Sequence, residues 1–149
     1  MIEVNPSFAA ITRFVREVLG CNCPEAVFQQ VKVQRGSTAV RSCPADYEIR
    51  ISDRLLIVVT SSVAELTVVP LLENVVLEGR RARDAARLNR FRLVVVTPNA
   101  PHWREELLRV FDAISSRDER THLHVIESGD MPDLSRDPYK NNEAGSDPR

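Results

Sequence analysis

Cys21-Asn22-Cys23, followed directly by Pro24-Glu25, is the cluster best suited to chemistry, and Cys43-Pro44 adds a third sulfur. Two thiols two residues apart can grip one soft metal ion or close into a reducible disulfide. Pro24 and Glu25 suit the first turn of a short helix, which places Cys23 near its N-cap. There the helix dipole and free backbone N–H groups favour thiolate, the form that attacks electrophiles and binds soft metals. Cys23 is then the more reactive thiol, with the Glu25 carboxylate opposing it. The expected metal set is Cys21, Cys23 and Cys43, with Cys43 swinging in from a loop and zinc or iron as the ion. A closed zinc site usually takes four ligands, so such a site stays open, borrows a histidine or is shared across a dimer. The competing reading makes these cysteines small apolar residues of a turn and a core.

Three weaker constellations accompany the thiols. His122-Leu123-His124 alternates, so both imidazoles share one strand face and could hold a metal or simply face solvent or a covering helix. His102 falls at a helix start and is expected to be exposed. Arg80, Arg81, Arg83, Arg87, Arg90 and Arg92 form the densest charge, offset locally by Glu78 and Asp84. The anion-binding candidates are Arg80, Arg81, Arg83 and Arg87, as a phosphate-binding helix face or as an ordinary solvated one. Thr60-Ser61-Ser62 and Thr97-Pro98-Asn99 end buried strands ahead of helices, where open α/β sheets bind ligands, but they also read as plain N-caps. The sequence holds no GxGxxG, GxxxxGK or GxSxG motif.

The elements that must position these groups follow from periodicity. Phe8, Ile11, Val15 and Val18 trace one helical face that stops at Gly20. Val27, Phe28 and Val31 belong to the short helix after Pro24. Val31–Gln34 is a short strand, Tyr47–Ile51 alternates with period two, and Leu55–Val59 is apolar throughout, as a strand covered on both faces must be. Ser52-Asp53 forms the turn between the last two. Ser62 to Glu65 reads as a capping box. Leu72, Val75, Val76, Gly79, Ala82 and Ala86 mark a helix whose small residues let it lie close to a sheet. Phe91–Thr97 is a second apolar strand. Trp103, Leu107, Val110, Phe111 and Ile114 form the clearest amphipathic stripe, and Thr121–Glu127 is the final strand.

The order predicts a single α/β domain over about residues 5–128. It has one mixed sheet, an antiparallel three-strand meander plus helix-connected parallel strands, flanked by helices. Residues 129–149 are polar, with Pro132, Pro138 and Pro148, and are expected to be a disordered tail. The whole is 149 residues with 28% charged and 43% hydrophobic composition and a net charge of −1, which fits one globular domain. All 20 basic residues except Lys32 and Lys140 are arginine, through codon supply or through anion recognition. A net charge near zero argues against a dedicated nucleic-acid binder. No apolar run is long enough to span a bilayer, no secretory leader is expected, and an odd count of three cysteines fits a reducing cytoplasm.

With Asp46 and Glu48 at its second strand, the order helix, three-strand meander, helix, strand over residues 6–97 resembles the core of the restriction-endonuclease-like fold. That resemblance implies an Asp on the second strand and a Glu/Asp-x-Lys on the third, binding Mg²⁺ and activating water. The third strand here, Arg54-Leu55-Leu56-Ile57-Val58-Val59, has neither acid nor Lys, so no nuclease residue is carried over. Three functions follow from the residues themselves: a Cys-based metal-binding or thiol-redox site, a non-enzymatic homodimeric interaction module using the last strand or the outer helices, and anion or nucleic-acid binding through the Arg-rich helix.

Overall fold

The computed structural model describes residues 2–114 and 118–134. One six-stranded sheet in the order β1-β2-β3-β4-β5-β6 organises the chain. Its strands are β1 Ile2–Val4, β2 Val31–Arg35, β3 Tyr47–Ile51, β4 Leu55–Thr60, β5 Arg90–Thr97 and β6 Thr121–Glu127. β1 to β4 pair antiparallel, and β4, β5 and β6 pair parallel. The expected mixed α/β sheet is therefore present, with the β1 strand added at its edge ahead of residue 5.

Chemistry of the side chains explains the layers. Every residue of β4 is buried, because helices cover both sides of it. Leu56 and Val58 face α2 (Val69–Ala85) and α3 (Ala100–Asp112), packing with Leu72, Val75, Phe91, Leu93 and Leu107. Ile57 and Val59 face the other side, with Ile11, Phe14 and Phe28. That second face is covered by shorter pieces: α1 (Phe8–Arg13), a π turn over Phe14–Val18 and a 3₁₀ turn over Glu25–Gln29.

Local signals set the boundaries. Ser7 caps α1, its Oγ accepting from Ala10 N at 3.0 Å. The capping box expected at Ser62–Glu65 is not formed: Ala64 starts only a 3₁₀ turn, Glu65–Thr67, with no side-chain cap, and α2 begins at Val69 with Pro70 in its first turn, the position where a missing N–H costs nothing. Gly79 is where α2 meets the sheet: a Cβ there would lie 2.1 Å from the Phe91 ring. Asn99 does not cap α3 with its side chain; Glu127 Oε1 instead accepts from Ala100 N at 2.8 Å, so β6 supplies the cap.

Most of the expected tail, residues 135–149, lies outside the described residues. Ahead of it, Ser128–Asp130 forms a 3₁₀ turn, Met131 packs on the second core and Leu134 is fully buried in it.

Candidate functional site

The Cys21–Cys23 segment is built by the turn before it. Leu19 N donates to Phe14 O at 3.0 Å, the wide spacing of a π turn. Gly20 then takes φ +73°, a left-handed conformation that glycine reaches without strain and that ends the helix. Cys21 N donates back to Val15 O at 3.1 Å. The Arg16 guanidinium stacks over Phe28 at 5.8 Å and donates to Cys23 O from Nε (3.1 Å) and from its terminal nitrogen (2.9 Å). Both ends of the segment are thereby fixed, and the two sulfurs are joined as a disulfide.

Pro24, not Cys23, caps the following turn, which is a five-residue 3₁₀ piece. So short a turn has almost no dipole to offer a sulfur. The charge beside the sulfurs comes instead from the sheet. Cys21 and Cys23, both partly exposed, line a cleft of about 430 Å³ together with Arg54, Arg90, Arg92 and His122, and among the described residues no Asp or Glu lines it.

Register explains these basic residues. Along β5, Phe91, Leu93 and Val95 point to the α2–α3 core, so Arg90 and Arg92 point to the opposite face. Along β6 the same alternation puts His122 and His124 on that face. The parallel register sets Arg92 opposite His122 and Val94 opposite His124. Arg90 donates to His122 Nε2 at 2.8 Å and Arg92 to His124 Nε2 at 2.9 Å. A guanidinium can only donate, so each ring accepts and is neutral. Burial, reinforced by Arg92 and His122, pushes His124 down to about 4. Burial together with Arg92 and Arg90 also lowers His122. Among the described residues no three His, Cys, Asp or Glu side chains converge on a metal position, at these rings or elsewhere.

Cys43 lies apart from the other two sulfurs. It belongs to the α2–α3 core, across the sheet from Cys21 and Cys23, with its Sγ 4.0 Å from Thr60 Oγ1. Two carboxylates pin its loop. Glu78 of α2 accepts from Arg41 N, Ser42 N and Ser42 Oγ, and Glu48 of β3 accepts from Ser37 Oγ, Thr38 N and Ala39 N. Burial pushes the Cys43 thiol up, and Glu78 adds to the shift. The expected three-sulfur set thus divides into a disulfide on one side of the sheet and a sealed thiol on the other.

The Arg-rich helix likewise separates. Arg83 is 1% exposed; it grips Asp118 with two parallel bonds of 3.0 Å and donates to Asp84 at 2.9 Å. Arg80 reaches the same Asp118 at 4.0 Å. Arg81 is exposed on α2, and Arg87 is exposed beyond its end with φ +58°. His102 is exposed at the start of α3, as expected.

At the opposite end of the sheet, Asp46, where the endonuclease-like likeness would seek acids, accepts from Ser61 Oγ at 2.5 Å and lines a second cleft with Arg35 and Tyr47. Glu48 is buried under its own loop, and β4 contributes no acid, so the nuclease constellation is not assembled. Thr60 and Thr97 close local turns, accepting from Ser62 N and Asn99 N. No protein-family model, curated protein or solved structure matches the chain.

Proposed function

We propose that this chain is a thiol–disulfide exchange protein whose working group is Cys21/Cys23. The observation that carries the reading is a bonded, partly exposed sulfur pair on a cleft lined by three guanidiniums and, among the described residues, no carboxylate. Cations beside a thiol favour the attacking thiolate. A structural role has little to recommend it: bridging residues only two apart closes so short a loop that the chain-entropy gain is about 1.6 kcal/mol, against about 3 kcal/mol for fifteen residues.

The exchange balances without a cofactor. A thiolate of the reduced pair attacks a substrate disulfide and expels one substrate thiolate, leaving a mixed disulfide. The second sulfur of the pair then attacks the first and expels the other substrate thiolate. Two electrons pass to the substrate, and the two thiol protons end on its two thiols.

Mass spectrometry tests this directly. Reduced full chain, incubated with glutathione disulfide, is expected to lose the mass of two hydrogens reversibly, and Cys43→Ser to do the same. Cys21→Ser and Cys23→Ser are expected to stop at the mixed disulfide. A reduced pair that stays dithiol in excess glutathione disulfide overturns the reading.

A further inference from the structure

Arg92 is 9% exposed and sits against a cleft, yet among the described residues it has no carboxylate partner. One of its two terminal nitrogens is spent on the neutral His124, and its Nε is buried with no hydrogen-bond partner among the described residues. Arg83, also buried, is by contrast gripped by two aspartates. A buried cation left without a counter-charge is costly, and proteins keep such groups where a ligand supplies the charge. Arg90 and Arg54 add two more cations to the same lining, and Asn22 and Asn89 add amide groups. The volume, about 430 Å³, falls within the range of about 300–1,000 Å³ found for small-molecule sites.

We propose that the cleft between the start of β5, the start of β6 and the Cys21–Cys23 segment is an oxyanion site in which Arg92, Arg90 and Arg54 take a phosphate or carboxylate group. Planar guanidiniums match both anions through paired N–H donors. The inference rests on the arginines and not on sulfur chemistry, so it stands or falls apart from the exchange reading.

Calorimetric titration of the full oxidised chain with inorganic phosphate, and separately with succinate, at constant ionic strength, tests it. Saturable binding is expected. Binding of phosphate alone would identify a phosphate site, and binding of succinate would identify the acid group of an organic molecule. Arg92→Met is expected to weaken the tighter ligand at least about tenfold, the size of one lost charge-assisted contact. Arg81→Gln, on the exposed face of α2, is expected to change it less than twofold. Should Arg92→Met not fold, the exposed Arg54→Gln carries the same expectation of weakened binding. No saturable binding of either anion up to tens of millimolar, or equal small losses in the cleft variants and Arg81→Gln, would overturn the proposal.

Discussion

At the scale of single residues, the same side-chain type does opposite work on the two faces of the sheet. Arg83 is neutralised and holds the end of α2 to the turn before β6. Asp118 is held down to about 2 chiefly by Arg83, so its contribution to stability is present above the ordinary carboxylate pKa and is lost only as pH falls toward 2. Arg92 has only a neutral imidazole, and that imidazole must stay neutral to accept. Above about pH 6.5 His124 is uncharged folded or unfolded and adds no pH dependence. Between that pH and about 4 the unfolded chain binds a proton that the folded one refuses, so stability falls as pH drops, by on the order of 2–3 kcal/mol. His122 adds in the same direction. His124→Gln keeps an acceptor for Arg92 without a titrating group. Urea unfolding at pH 7, 5.5 and 4.5 is expected to show a shallower loss in this variant, and parallel losses would refute the assignment. These pairs were half legible: His122-x-His124 is a plain alternation, and Arg90-x-Arg92 has the same period. Phe91–Thr97 is mostly apolar, which masks the match, and sequence cannot say which residues of two strands face each other until their register is known.

At the scale of elements, the strands and helices were readable because periodicity and burial coincide in them. β4 is apolar from Leu55 to Val59 and buried on both faces, and the α3 stripe of Leu107, Val110 and Phe111 is buried as its spacing implies. The small residues of α2 made sense in advance, and Gly79 is the one that matters. Gly79→Ala would gain helix propensity of about 1 kcal/mol but drive a methyl into Phe91, an overpacking cost of about 1–3 kcal/mol. We expect net destabilisation in urea, relieved in part by Phe91→Leu; an alanine variant as stable as the parent would show that the ring yields freely. Caps were less legible. Glu127 lies 27 residues from the N–H it satisfies, and the Ser62–Glu65 pattern caps nothing, α2 starting only at Val69. Cys23 lost its helix-start role for a similar reason, because Pro24 opens only a brief 3₁₀ turn.

At the scale of the whole molecule, the sheet divides three sulfurs and many arginines into separate tasks. One face seals Cys43 under a loop tied by Glu48 and Glu78, and the other brings a disulfide beside Arg54, Arg90 and Arg92. No helix among the described residues is long and apolar enough to cross a membrane. The edge strand β6 considered for self-association has its Val125 carbonyl already occupied by Arg104, at 2.8 Å, which blunts it as a template for another strand. That two sulfurs close in sequence would meet was legible, but that their electropositive surroundings come from the turn before β4 and from β5 and β6, some 30 to 100 residues away, was not. An equilibrium redox titration of the full chain, in graded mixtures of reduced and oxidised dithiothreitol with the thiols trapped by alkylation, tests the exchange account most directly. It predicts one two-electron transition at Cys21/Cys23 with a midpoint above about −300 mV, the level below which structural disulfides lie, and Cys43 protected throughout. A midpoint below that level, or a pair that never oxidises, would contradict it.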